Sequence, residues 1–211
     1  MKLLRAGFLI ASTALVATAQ QYEFGGIGGA GFLSNVGVSG VAGAATTGFR
    51  TGAVAGAFLA HNSYRHIGGE FRYSWMQSNL HIQSGGSEAT FAGQAHVVHY
   101  DVILHTNRRE SKREFFVAFG GGMKVFRGTG QEAAYQPLSQ YGYFTKTTVL
   151  KPMASIGAGM KYSLTPRLVL RTEFRDYITA FPKDLIAPAP GVQFGSILQD
   201  IVPMVGLSYL F

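Results

Sequence analysis

The stretch that decides the fold is IVPMVGLSYLF, residues 201–211, at the end of the chain. Apart from Pro203, every odd position in it holds a large apolar side chain: Ile201, Val205, Leu207, Tyr209 and Phe211. Successive side chains of a β-strand point to opposite faces, so one face of this segment is entirely apolar. Strands of membrane barrels turn such a face toward lipid. The segment therefore predicts a transmembrane β-strand.

The start of the chain predicts secretion. Lys2 and Arg5 precede an apolar run over 7–16, and Ala17-Thr18-Ala19 has small residues where a signal peptidase would cleave. We therefore expect a signal peptide at 1–19 and one barrel domain at 20–211. The chain has no cysteine, which excludes lipoprotein attachment, disulfides and thiolate metal sites.

Composition supports many-stranded β structure. After residue 19, no apolar run reaches the roughly 20 residues of a membrane-spanning helix, so a membrane location requires a barrel. The chain has 28 glycines, 16 phenylalanines and 10 tyrosines, and only 14% of its residues are charged. Abundant glycine and aromatic residues are typical of barrels with aromatic girdles.

The basic pI of about 9.7 does not indicate nucleic-acid binding. Without Lys2 and Arg5 the net charge falls from +7 to +5, and the remaining charges are spread along alternating segments. One cluster remains, at Arg108, Arg109, Lys112 and Arg113. It is either a solvated turn or a site for an anionic ligand.

Alternation marks eight strand-like segments. They are Tyr22–Leu33, Phe49–Ala60, Ile67–Gln77, Ala89–His105, Glu114–Arg127, Val149–Ser163, Leu168–Ile178 and Asp200–Phe211. The first, third, fifth and seventh connections are longer than the others, as are the extracellular loops of outer-membrane barrels. The pattern predicts an all-β, eight-stranded, antiparallel, up-and-down transmembrane β-barrel with periplasmic termini. A ten-stranded barrel is the alternative if a long loop contains a hairpin.

The charged positions of these segments define a predicted lumen network. A lysine or arginine facing lipid at mid-membrane costs about 2–4 kcal/mol, so these side chains must point inward. Both signs are present, in Glu70, Arg72, Asp101, Glu114, Lys124, Lys151, Lys161, Arg171, Glu173 and Arg175. An eight-stranded barrel is just wide enough for side chains to fill it. The network is either a salt-bridged plug or a polar conduction path.

With these features, the chain resembles the OmpA-like and OmpX-like family of small bacterial outer-membrane barrels. The inward Arg171-x-Glu173-x-Arg175 pattern and the terminal Gly206, Tyr209 and Phe211 contribute to the resemblance. It implies that the last three serve as a C-terminal signal read by the barrel-assembly machinery. Members of this family usually carry a polar residue two places before the glycine, and Met204 departs from that pattern. No segment remains for a peptidoglycan-binding domain.

Three motifs that could indicate chemistry lack the context that chemistry requires. Gly26-x-Gly28-x-x-Gly31 matches a dinucleotide fingerprint, but no helical period or nearby acid follows. The adjacent residues of His61-Asn62-Ser63 rarely form a nucleophile–base pair. His99, Asp101 and His105 spread over about 20 Å of one strand, too far for one metal ion. We expect no catalytic, cofactor or metal site.

The outward loops are the predicted functional surface. The connections at 128–148 and 179–199 contain Tyr135, Tyr141, Tyr143, Phe144, Phe181 and Phe194. Such loops could bind partners or fold over the barrel mouth. The sequence favours a monomeric surface-interaction scaffold that contacts outer-membrane lipid and lipopolysaccharide. Alternatives are a narrow porin-like channel or small hydrophobic-ligand transporter, and a lipid A-modifying enzyme.

Overall fold

The computed structural model describes residues 22–40, 43–62, 64, 66–106 and 112–211. The predicted signal peptide lies outside these ranges. In the described ranges no helix has the length and apolar character needed to cross a membrane. Their strands are β1 (Tyr22–Leu33), β2 (Asn35–Ser39), β3 (Ala45–Phe49), β4 (Gly52–His61), β5 (Ile67–Gln77), β6 (Leu80–Ser84), β7 (Ser87–Phe91), β8 (Gly93–His105), β9 (Arg113–Gly128), β10 (Gly142–Phe144), β11 (Thr148–Ser163), β12 (Leu168–Ala180), β13 (Ile186–Pro188), β14 (Gln193–Phe194) and β15 (Ile197–Leu210).

Eight long strands form a closed antiparallel barrel. Around its wall the order is β1, β4, β5, β8, β9, β11, β12 and β15, and β15 pairs with β1 to close the ring. Because each strand pairs with the next long strand along the chain, the barrel is up-and-down. The predicted fold class is confirmed, with eight strands rather than ten.

Two of the predicted strand segments begin before the barrel strands that they contain. Phe49 belongs to the short β3, and the barrel strand β4 begins only at Gly52. The predicted segment Ala89–His105 divides into β7 and β8 at Ala92, whose carbonyl accepts hydrogen bonds from the backbone N–H groups of Thr129 and Gly130. These predictions were wrong because alternation continues from the barrel into the loops without a break.

The long connections form a second layer at one end of the barrel, which we call the cap. The cap contains a five-stranded sheet in the order β14-β2-β3-β6-β7 and the pair β10-β13. Inward-facing residues of the sheet, such as Val36, Ile82 and Phe194, belong to the same apolar cluster as barrel residues such as Met76 and Val202. The cap therefore packs directly on the apolar residues of the lumen.

The aromatic side chains of the long loops were expected either to bind partners or to fold over the barrel mouth. Most of them fold over the mouth. Tyr141, Phe144, Phe181 and Phe194 are buried in the apolar cluster, whereas Tyr135 is 78% exposed. The loops thus fold over the mouth, because burying aromatic area is the largest apolar gain available to them.

The outer surface of the barrel is an apolar belt. Its side chains alternate with inward polar residues, as in β5, where Phe71 and Tyr73 point outward while Glu70, Arg72 and Ser74 are buried. Toward the cap, the apolar belt ends at a row of three polar side chains. They are paired neighbours on adjacent strands: Gln77, Gln94 and Arg127. A belt of this kind suits a bilayer interior, and it agrees with a location in the bacterial outer membrane.

The structure defines the facing of β1, whose glycines and alanines fit either face and leave the facing ambiguous in the sequence. Glu23 and Ile27 are buried inside, while Tyr22, Phe24 and Phe32 are exposed outside. The Gly26-x-Gly28-x-x-Gly31 motif lies entirely within this strand. β1 continues past Gly31 to Leu33 and β2 begins at Asn35, so Gly31 does not stand at the start of a helix that could hold a dinucleotide phosphate.

Candidate functional site

The centre of the lumen holds three arginines and three carboxylates, which we call the ionic cluster. Its members are Glu70 and Arg72 on β5, Asp101 on β8, and Arg171, Glu173 and Arg175 on β12. β5 and β12 are four strands apart in the eight-stranded ring, so they face each other across the lumen. Alternate positions on each strand share the inward face, which brings these side chains together.

Glu70 is the shared acceptor of the cluster. Its Oε1 lies 2.6 Å from Nη2 of Arg72 and 3.1 Å from Nη2 of Arg175. Its Oε2 lies 2.5 Å from Nη1 of Arg171. One carboxylate from β5 therefore contacts all three guanidinium groups.

The other two carboxylates complete the cluster. Arg72 Nη1 donates to Glu173, and Arg171 Nε donates to the second oxygen of Glu173 at 2.9 Å. Arg175 Nη1 donates to Asp101 of β8. All six side chains are at most 1% exposed, and their formal charges balance. Charges buried this deeply are tolerated only when they are paired and hydrogen-bonded.

Aromatic rings enclose the guanidinium of Arg171. Its Cζ lies 4.6 Å from the ring centroid of Phe58 and 4.4 Å from that of Phe116. Rings at this distance attract a cation through their negative faces. The arginine is thus held by carboxylates at its edges and by rings on its faces.

A second group of charges lies toward the short-turn end of the barrel. Lys161 Nζ is 2.6 Å from Glu23, which also accepts a hydrogen bond from Ser208 at 2.7 Å. His105 Nδ1 lies 2.6 Å from Glu114. A cavity of about 40 Å³, lined in part by Glu23, Glu114 and Lys161, lies here. Its volume suits a water molecule or two rather than an organic ligand.

Lys124 and Lys151, predicted to share the network, differ in their surroundings. Lys124 pairs with Asp200 and lies 4.7 Å from the ring centroid of Phe126. Lys151 is only half-buried, and in the described part of the chain it forms no ion pair. Lys151 nevertheless lies on the inward face of β11, opposite Lys124 in the β9–β11 ladder, so its place in the network stays a prediction.

Two acids of the lumen were missed by the sequence reasoning. Glu23 lies on the glycine-rich β1, whose facing alternation alone could not assign. Asp200 lies at an even position of β15, opposite the lipid-facing odd positions. Extending the terminal alternation back by one residue would have identified Asp200.

The histidines serve as hydrogen-bonding groups. His99 Nδ1 lies 3.1 Å from Asp101, and His99 Nε2 lies 3.4 Å from the hydroxyl of Tyr177. His61 Nε2 is 2.7 Å from the hydroxyl of Tyr100 on the outer face. Among the residues that the structure describes, no three metal-ligating side chains converge. Ser63, the neighbour of His61 in the motif, lies outside the described residues.

The residues of the predicted assembly signal divide between the two faces of β15. Gly206 points inward, where an added Cβ would lie 2.4 Å from the carbonyl oxygen of Gly26. Tyr209 and Phe211 point outward, and Phe211 stacks on Tyr22 with ring centroids 6.1 Å apart. The two aromatics thus belong to the lipid-facing surface at the end of the barrel that carries the short turns.

Comparisons with known proteins identify the fold. No family model matches the chain, and no curated protein sequence matches it. Among solved structures, outer membrane protein OprG from Pseudomonas aeruginosa superposes with a TM-score of 0.59 at 11% identity, over 91% of this chain and 97% of that one. Neisserial surface protein A has a TM-score of 0.56 at 9% identity, over 90% and 97%. AlkL, an outer membrane protein solved in lipid bilayers, has a TM-score of 0.52 at 12% identity, over 91% and 90%.

These similarities confirm, at the level of the fold, the predicted resemblance to small outer-membrane barrels. The chain has the closed eight-stranded β-barrel fold of these outer-membrane proteins. Identity near 10% says nothing about ligands or activity, so function has to be argued from the residues themselves.

Proposed function

We propose that this protein is a non-conducting outer-membrane scaffold that presents the cap to the cell exterior. The observation that carries this proposal is the ionic cluster. Arg72, Arg171 and Arg175 are almost completely buried, and each contacts at least two carboxylates. Moving one arginine aside to admit an ion would leave charges without partners in a low-dielectric interior.

The outer half of the lumen supports the same proposal. Beyond the ionic cluster and the Lys124–Asp200 pair, on the side toward the cap, Val54, Met76, Ala95 and Phe126 form an inward apolar layer, and all four are at most 3% exposed. An ion crossing this layer would lose its hydration without gaining a polar ligand. The charged cluster and the apolar layer therefore oppose conduction by different means.

Single-channel conductance of the refolded protein in a planar bilayer tests the proposal. We expect a silent bilayer while a heat-dependent gel shift shows that the barrel is folded. Steady conductance that changes in an Arg175→Gln variant would refute the scaffold proposal and favour a channel through the cluster.

The outer face of the cap sheet is the surface we propose for partner contact. It is polar and held together by side chains, since His81 bridges Asn35 at 2.7 Å and Glu88 at 3.0 Å across the strands. Exposed Thr46 and Gln83 extend this face. Hydroxyl and amide groups on a rigid sheet can hydrogen-bond to the sugars of lipopolysaccharide. Deuterium-exchange protection of β2 and β6 by lipopolysaccharide would test this partner, and unchanged exchange would argue against it.

We also propose that the protein is a monomer without catalytic activity, assembled by the barrel-assembly machinery. His61, the base that a lipid-modifying mechanism would need, has its Nε2 at 2.7 Å from the hydroxyl of Tyr100. Hydrolysis of lipid A by the refolded protein that is lost in His61→Gln would contradict the proposal.

A groove in the lipid-facing wall favours a second candidate, binding of a small hydrophobic ligand. The groove has a volume of about 210 Å³ and is lined by Gly28, Phe174, Pro203 and Val205 among others. It lies where the β1–β15 ladder skips the pairing of Ala30 and Gly31, opposite a proline that has no N–H to donate.

Retention of an apolar fluorescent probe by the refolded protein would distinguish a ligand-binding barrel from a scaffold that binds no ligand. An added side chain at Gly28 has room, since its Cβ would approach only the carbonyl oxygen of Val54, at 3.8 Å. If the groove binds ligand, Gly28→Leu should displace the probe. Gly26→Leu, on the same outer face but outside the groove, should not. Equal retention in both variants would remove this candidate.

A further inference from the structure

The barrel end with the short turns carries a strip of cations and aromatic rings, which we call the basic rim. It consists of Lys112, Arg113, Tyr162, Arg167 and Tyr209. The backbone places these residues side by side. Tyr162 pairs with Arg113 across the β9–β11 ladder, and Leu168 pairs with Tyr209 across the β12–β15 ladder.

Two cations of the basic rim lie directly against aromatic side chains. Lys112 Nζ is 5.3 Å from the ring centroid of Tyr162. Arg167 Nη1 donates to the hydroxyl of Tyr209 at 3.2 Å. Tyrosines at a barrel end mark the boundary between hydrocarbon and headgroups. The geometry therefore holds both cations at headgroup level.

Among the residues that the structure describes at this end, the acidic side chains face inward. Within the described ranges, the acids nearest the basic rim are Glu23 and Glu114, and both are buried in the lumen against Lys161 and His105. On the opposite end, by contrast, acidic side chains lie at the surface. Arg50 lies 3.8 Å from Glu88, and Glu132 accepts a hydrogen bond from the backbone of Lys146.

We infer that the basic rim binds the phosphate headgroups of anionic phospholipids in the adjoining leaflet. Lysine and arginine donate several hydrogen bonds to phosphate oxygens, and the rings beneath them pack on the glycerol and upper acyl region. A soluble partner would not need rings at the hydrocarbon boundary. The inference is independent of whether the lumen conducts.

Native mass spectrometry of the refolded protein tests this inference. The protein is released from micelles containing phosphatidylglycerol or phosphatidylcholine, and the retained lipids are counted. We expect preferential retention of phosphatidylglycerol. The preference should fall about fivefold for each cation removed in Lys112→Gln and Arg167→Gln, because a basic residue near an anionic surface contributes about that factor.

The matched control is Lys146→Gln with Lys183→Gln, two exposed lysines of the cap. This double variant should retain phosphatidylglycerol like the original protein. All variants change exposed side chains, and a heat-dependent gel shift verifies that each is folded. The inference is overturned if the original protein shows no preference between the lipids. It is also overturned if the rim variants keep the preference, or if the control loses it equally.

Discussion

Arg72 and Glu173, 101 positions apart in the sequence, form an ion pair that joins opposite walls of the barrel. Neither side chain is more than 1% exposed. Glu173 also contacts Arg171 at 2.9 Å and Arg175 at 3.5 Å, so one carboxylate neutralises charge on three guanidinium groups.

Glu173→Gln is expected to destabilise the barrel by about 3–5 kcal/mol, because it leaves three buried arginines with two carboxylates. Urea unfolding in detergent, followed by the fluorescence of Trp75, the single tryptophan, measures the change. Glu132→Gln is the control, since a glutamine there still accepts the hydrogen bond from Lys146. Equal stability of the two variants would contradict the importance of the cluster.

Phe116→Leu is expected to lower the free energy of unfolding by about 1–2 kcal/mol, because it removes one of the two rings that enclose Arg171. Phe119→Leu on the same strand changes a lipid-facing ring and should cost much less. The same unfolding experiment compares them. A larger loss for Phe119→Leu would mean that lipid contacts outweigh packing in the lumen.

Adjacent glycines of β1 should respond in opposite ways to alanine. At Gly29 an added Cβ would lie 2.1 Å from the carbonyl oxygen of Pro203, so Gly29→Ala should prevent closure of the β1–β15 seam or destabilise it strongly. At Gly28 the nearest atom is 3.8 Å away, and Gly28→Ala should be neutral or stabilising by up to about 1 kcal/mol. The folded fraction on a heat-dependent gel shift measures both. Equal folded yields for Gly29→Ala and Gly28→Ala would show that the backbone of the β1–β15 seam shifts to make room for the added methyl group.

Phe211→Ala should separate assembly from stability. Phe211 is about half exposed to lipid and stacks on Tyr22 at the barrel end, so refolding in detergent should change little. In cells, we expect the variant to accumulate unassembled, because the resemblance to outer-membrane barrels implies recognition of the terminal aromatic. Phe174→Ala, an exposed ring at mid-barrel, should assemble normally. Normal assembly of Phe211→Ala would remove this residue from the signal.

The facing of six strands could be predicted from sequence. Each of them alternates large apolar residues with charged or small ones, as Phe71 and Tyr73 alternate with Glu70 and Arg72. Lipid excludes charge from one face, so the pattern has a single solution. β1 lacked this signal because glycines and alanines are accepted on either face. The inward position of Glu23 therefore followed only from the register of β1 with β4 and β15.

Local sequence determined the strand number, the apolar belt and the identity of nearly all buried charges, because period-two alternation depends only on neighbours along the chain. Only the tertiary structure decided which charges meet. Glu70 contacts Arg171 and Arg175 because the closed ring sets β5 opposite β12. It also decided that the long loops form a cap, since Phe49, Phe144 and Phe181 can be buried only against residues from distant strands. Alternation along the chain specifies whether a side chain faces the lumen or the lipid, whereas closure of the barrel specifies which side chain it contacts across the lumen.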